Sequence, residues 1–107
     1  MKENLTGGIT DDQLKSFKKK HGKLRLVSLK GKEGNEEHFW FKKPDMATMS
    51  ACAKFTESDP IKAGQIFFSN CLIHGDESAA EDVDKFTSIL PLITDMLQKY
   101  EAEVKEF

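Results

Sequence analysis

The apolar residues of this chain change their spacing along the sequence, and the changes mark where helices and strands are expected. Leu14 and Phe17 share one face of a predicted helix that begins after Thr10. Thr10 and Gln13 have the spacing of a capping box, in which each side chain satisfies a backbone N–H at the start of the helix. Gly22 is expected to end this helix, because glycine readily adopts the conformation that follows helix C-termini.

An alternating pattern replaces the helical one near Leu24, and it predicts a β-hairpin over residues 23–43. The turn is expected at residues 31–35, which include two glycines and an asparagine. Pro44 ends the second strand, because proline has no N–H to donate to a neighbouring strand. An isolated hairpin is marginally stable in water, so this one must pack against helices.

Two short helices are predicted after the hairpin. The first begins after Asp45 and runs to about Phe55, and four of its residues are expected to point inward: Met46, Met49, Cys52 and Ala53. The second begins at Asp59-Pro60, an N-cap followed by a proline in the first helical position, and runs to about Leu72. Its predicted apolar side consists of Ile61, Gly64, Phe67, Phe68, Cys71 and Leu72. The glycine on that side would let another helix approach closely.

The last predicted helix carries the strongest periodic signal, with apolar residues that step by four and three over three heptads: Phe86, Leu90, Ile93, Leu97, Tyr100, Val104 and Phe107. Pro91 lies inside this series, so either one helix kinks there or a helix ends near Leu90 and a new one begins. We favour the break. We interpret the seam first as an intramolecular packing face. The alternatives are a coiled-coil interface and a terminal helix whose last residues protrude and bind a partner helix.

These elements predict an α+β, mainly α-helical single domain with an N-terminal helix, a β-hairpin and three to four C-terminal helices. The chain has 107 residues, enough for one domain, and its composition is that of a soluble domain with a charge-rich surface. Residues 1–9 contain Gly7-Gly8 and few apolar groups, so they are expected to form a flexible arm before a domain of residues 10–107.

The charges are distributed unevenly along the chain. Residues 1–43 hold 11 basic and 6 acidic residues, whereas residues 44–107 hold 5 basic and 12 acidic ones. Such a bipolar chain could pair with itself or with a charged partner, although both signs could also mix on one surface. The first residues lack the pattern of a signal peptide, no apolar run approaches bilayer length, and two cysteines give no disulfide framework. We therefore expect a cytoplasmic protein.

Candidate chemistry is sparse. Cys71 and His74 have a spacing that suits two zinc ligands or a nucleophile and its base, but a stable zinc site needs about four ligands and no orienting motif accompanies them. The acidic residues between Asp76 and Asp84 lack the spacing of a calcium loop. We expect no cofactor, no metal and no catalytic residue, and hence no enzyme.

Aromatic and basic residues alternate in the second strand, from His38 to Lys43. Aromatic rings can stack on bases while lysines contact phosphates, so a nucleic-acid-binding accessory protein of a mobile element is the alternative function. Strand alternation also places Phe39 and Phe41 on one face and Trp40 on the other, as core packing would.

The order of these signals resembles a family. A capped helix ends in Lys-Lys-His-Gly, a strand pair ends in Phe-Lys-Lys-Pro, and a helix precedes Asp59-Pro60. A second helix then ends in Asn-Cys and leads to Gly75-Asp76 and a last, proline-containing helix. This order is similar to that of the small tail assembly chaperones of tailed phages and prophages, in particular a group from phages of gut Bacteroidetes. The likeness covers most of residues 10–107. Where the group often has a second glycine before Gly75, this chain has His74.

The resemblance implies a non-enzymatic protein of the bacterial host cytoplasm that acts in tail morphogenesis. It would bind a helix-rich tape measure protein, with the tail tube protein and homo-oligomers as further expected partners and no membrane partner. Nucleic acid ranks behind these partners. The expected contact surfaces are the aromatic strand and the seam of the last helix, with nine candidate residues: Phe39, Trp40, Phe41, Lys42, Lys43, Leu97, Tyr100, Val104 and Phe107.

Overall fold

A computed structural model describes residues 5–96 and 100–107 of the chain. The helices are α1 (Asp11–His21), α2 (Met46–Ala53), α3 (Pro60–Cys71) and α4 (Val83–Ile93), with a short 3-10 helix at Glu77–Glu81. The strands are β1 (Leu5–Thr6), β2 (Ile9–Thr10), β3 (Leu24–Lys30), β4 (Glu36–Lys42) and β5 (Leu72–His74). The chain therefore forms a small α+β domain, which confirms the predicted fold class.

The helix starts are those the sequence predicts. Thr10 accepts a hydrogen bond from the Gln13 N–H, and the Gln13 side chain accepts one from the Thr10 N–H, so the capping box is complete. Asp45 and Asp59 cap α2 and α3 with a single hydrogen bond each, in which the carboxylate accepts from the N–H three residues later. Since capping is a local interaction, the sequence identifies it well.

The predicted hairpin is also confirmed, and it belongs to a larger sheet. Strands β3 and β4 pair antiparallel from Leu24 opposite Lys42 to Lys30 opposite Glu36. Strand β5 adds to the free edge of β4, in the order β3-β4-β5. We expected α3 to continue to about Leu72 and to be followed by a turn, so the sequence did not predict β5. Its three residues are too few to show an alternating pattern.

The two faces of the sheet pack against different elements. On one face, the Phe68 ring of α3 lies edge-on to Phe41, with centroids 5.2 Å apart, and also contacts Phe39 at 6.3 Å. Phe86 of α4 lies beyond Phe68 at 6.4 Å and completes the aromatic centre of the core. Burial of these large side chains supplies most of the driving force for folding.

The other face of the sheet is covered near Trp40 by the short β1–β2 hairpin. The Trp40 Nε1–H donates to the Gly7 carbonyl at 2.9 Å, and Ile9 is completely buried. Gly7 has a φ of +57°, and a Cβ there would lie 2.8 Å from the Leu26 methyl carbons, so glycine meets both a backbone and a steric requirement. The predicted flexible arm covered residues 1–9: residues 5–9 lie in a packed hairpin, and residues 1–4 lie outside the described residues.

Helix α4 differs most from expectation. It runs through Pro91 and ends at Ile93, so no new helix begins at the proline. Pro91 lies in the last turn of α4, where its missing N–H removes a single intrahelical hydrogen bond, the one to the Thr87 carbonyl, and the helix ends two residues later. From β3, the Arg25 guanidinium donates to the Leu92 carbonyl at 2.8 Å and pairs with Asp95. A cation at a helix C-terminus satisfies free carbonyls and complements the helix dipole, so Arg25 fixes the end of α4 on the sheet.

Candidate protein-binding surfaces

The aromatic part of β4 is not a surface. Phe39 and Phe41 are fully buried and Trp40 is 5% exposed, because helices cover one face of the strand and the β1–β2 hairpin covers the other. The expectation that these three residues contact a partner is therefore corrected: they belong to the core, as the alternation along the strand also allowed.

The lysines that follow these aromatics remain accessible. Lys43 is exposed and Lys42 is half-buried. Lys42 lies near the end of α1, where partial burial first, and then the positive charges of Lys42 and Lys20, lower the pKa of His21. The structure thus brings the lysine-rich last turn of α1 beside the end of β4.

Of the four α2 residues predicted to point inward, Cys52 does so, whereas Met46, Met49 and Ala53 face solvent. Met46 is 82% exposed and Met49 is 38% exposed, whereas Thr48 is buried. The inward side carries Cys52, whose Sγ–H donates to the Ala63 carbonyl of α3 at 3.4 Å. Thr48 lies four residues before Cys52, so both are on the same side of α2, and the small Cys52 side chain allows α2 to pack closely on α3. The outward set, Met46, Met49 and Ala53, is called the α2 face below.

The last described segment of the chain also exposes large apolar side chains. Residues 100–107, called the 100–107 segment below, have no regular secondary structure, and Tyr100, Val104 and Phe107 are 79%, 85% and 115% exposed. The radius of gyration is 16.3 Å and the longest axis 66 Å, against about 13 Å expected for the radius of a compact chain of this length. The segment therefore stands away from the domain. Leu97, the remaining candidate, lies outside the described residues.

The Cys71 and His74 side chains are not arranged as a reactive pair. Cys71 is fully buried in the core, and this burial raises the pKa of its thiol to about 11. The His74 ring is exposed at the end of β5 and lies 6.5 Å from the Phe17 ring, measured between centroids. Within the described residues, no group of three or more potential metal ligands comes together.

The acidic residues before α4 have structural roles. Asp76 accepts from both the N–H and the hydroxyl of Ser78, and these hydrogen bonds lower its pKa. Asp82 accepts from the N–H groups of Asp84 and Lys85 at the start of α4. These aspartates cap the 3-10 helix and α4, and they account for part of the acidic cluster without any ligand.

Across residues 5–96 and 100–107, no helix has both the length and the apolar character that a membrane crossing requires.

Comparison with known proteins identifies a similar fold but no family and no function. The chain matches no known family profile and no curated protein sequence. Its structure is similar to that of an uncharacterised protein from Bacillus stearothermophilus, with a TM-score of 0.54 and 23% sequence identity. The match covers 84% of this chain and 99% of that one.

Proposed function

We propose that this protein is a non-enzymatic tail assembly chaperone of a tailed phage or prophage, which binds a helix-rich tape measure protein during tail morphogenesis. The observation that carries the proposal is the 100–107 segment, whose three large apolar side chains are exposed to solvent. These residues are spaced by four and by three, the spacing with which an amphipathic helix presents its anchors to a partner.

The free energy available from these side chains is sufficient for weak binding. Full burial of a Val or Phe side chain contributes roughly 1.5–3 kcal/mol. Ordering the segment and losing the freedom of two molecules oppose this gain. A single contact would therefore be weak, and many copies along one long client would bind it strongly but reversibly. Reversibility suits a chaperone that tube assembly later displaces.

The alternative function is less well supported by the side chains. A nucleic-acid-binding protein of this type would stack bases on exposed aromatic rings, yet Phe39, Trp40 and Phe41 are buried. The lysines near the end of β4 could still contact phosphates, but without exposed aromatic rings on the same strand they offer only charge.

Co-expression tests the proposal. The protein would be produced together with the tape measure protein encoded in the same tail gene cluster, and the soluble, co-purifying fraction of that client would be measured. We expect the wild-type chain to solubilise the client and a Tyr100→Ser/Val104→Ser/Phe107→Ser variant to lose most of this effect. The matched control is Val83→Ser/Leu92→Ser, which removes exposed apolar groups from α4 instead. If the wild-type chain neither solubilises nor retains the client, the proposed function is wrong.

A further inference from the structure

Two exposed apolar surfaces of this chain match in the spacing of their apolar residues and are flanked by opposite charges. The α2 face presents Met46, Met49 and Ala53 on an eight-residue helix. The 100–107 segment also has eight residues, and as a helix it would be about 12 Å long, the same as α2. Its apolar residues step by four and three, and those of the α2 face step by three and four. Helices with such stripes pack side by side.

The charges beside the two surfaces are opposite. The 100–107 segment has three glutamates, Glu101, Glu103 and Glu106, against one lysine. Lys42 and Lys43 precede the α2 face, and Lys54 follows it. None of these three lysines forms an ion pair with another residue in the parts of the chain that the structure describes. The carboxylate of Asp45, which directly precedes α2, is already used to cap that helix.

We propose that the 100–107 segment of one copy binds, as a helix, across the α2 face of a second copy. Methionine suits such a site because its flexible, polarizable side chain adapts to varied apolar partners. One contact of this length falls below the roughly 800 Å² per partner of a standard interface. A closed dimer in which each copy donates its segment to the other doubles the contact, and this symmetric exchange is the expected form.

The proposed dimer is separate from the proposed chaperone function, and its test uses the purified chain without any client protein. Sedimentation velocity would be run on the purified full chain from about 5 to 200 µM at low salt, a range chosen for an expected micromolar dissociation constant. We expect a dimer. Tyr100→Ser/Val104→Ser/Phe107→Ser and Met46→Ser/Met49→Ser should each raise the dissociation constant more than about tenfold. The control Val83→Ser/Leu92→Ser should leave it unchanged.

A charge exchange shows whether the contact joins two copies. Lys42→Glu/Lys43→Glu and Glu101→Lys/Glu103→Lys/Glu106→Lys should each associate less tightly alone, and a mixture of the two should recover a heterodimer through its restored opposite charges. Circular dichroism and urea unfolding would show that each variant keeps its fold. Because the mixture must gain association, a folding defect cannot imitate the expected result.

Four results would overturn the proposal. The first is a wild-type chain that stays monomeric throughout the concentration range. The second is a dimer that the serine variants do not weaken. The third is a monomer in which a spin label on the 100–107 segment broadens the resonances of its own α2 face. The fourth is a monomeric chain that binds a DNA duplex through Lys42 and Lys43, since these lysines would then serve a nucleic acid.

Discussion

Gly64 offers the sharpest test of the packing described above, because local preference and tertiary structure predict opposite signs for the same substitution. It lies in the middle of α3, where alanine is favoured over glycine by up to about 1 kcal/mol. A Cβ at this position would lie 2.9 Å from Phe86 Cζ and 3.0 Å from Leu90 Cδ2. Carbon atoms in good contact are about 3.5–4.0 Å apart, so the Phe86 ring and the Leu90 methyl group, or α4 with them, would have to shift.

The magnitude follows from how freely these neighbours can yield. Phe86 is 6% exposed and its ring is held against Phe68, so it has little room to retreat. Inserting a methyl group into such a core costs about 1–3 kcal/mol. After the gain in helix propensity, we expect Gly64→Ala to lower the free energy of unfolding by about 1 kcal/mol. Gly64→Val adds two further methyl groups to the same space and should cost about 3 kcal/mol.

Urea unfolding followed by far-ultraviolet circular dichroism measures this difference. A loss of 1 kcal/mol should lower the midpoint by roughly 0.5–1 M urea. Ser69→Ala is the matched control, because this residue is exposed on the same helix and alanine should be neutral or slightly stabilising there. In a Phe86→Leu background the ring atom nearest Gly64 is absent, so the cost of Gly64→Ala should shrink.

A stabilising Gly64→Ala would refute the close approach of α3 and α4. So would a cost that is the same with Phe86 and with leucine at that position, because the two substitutions would then be independent. Either result would mean that the glycine is tolerated in α3 and is not required by α4.

Three further predictions concern single side chains. Arg25→Ala should destabilise the domain by about 1 kcal/mol, because the last carbonyls of α4 lose their cation, whereas Lys30→Ala on the same strand should be neutral. The pKa of His21 is lowered from 6.5 by partial burial and neighbouring lysines, so the unfolded chain binds this proton more tightly than the folded one. The free energy of unfolding should therefore fall as the pH drops below about 6.5, and His21→Asn should flatten that dependence. Cys71 should react with iodoacetamide only on unfolding, with half-buried Cys52 labelled first in native protein, as followed by mass spectrometry.

The opposite outcomes are equally specific. If Arg25→Ala and Lys30→Ala lower the free energy of unfolding equally, Arg25 has no special role at the end of α4. A pH dependence that survives His21→Asn would assign it to other groups. Native labelling of both thiols at one rate would contradict the burial of Cys71 in the core.

The sequence alone determined the features that depend on near neighbours. The starts of α1, α2 and α3 were predicted because Thr10, Asp45 and Asp59 each bind a backbone N–H only three residues away. The β3–β4 hairpin was predicted because two alternating runs flank a glycine-containing turn. Burial of the β4 aromatics was one of two interpretations of that alternation, and packing on both faces of the strand decided between them.

Only the tertiary structure decided which apolar residues face solvent. Apolar spacing shows that a helix can have an apolar side, but not what that side will meet. In α2 Thr48 is buried and Cys52 packs on α3, so the methionines point outward. In α4 the end is set by Arg25, 67 residues from Leu92 in the chain. The four-and-three series continues to Phe107, yet residues 100–107 are exposed and form no regular secondary structure, and a short isolated helix is marginal in water. The candidate site therefore consists of apolar side chains that the sequence could identify and only the fold could show to be exposed.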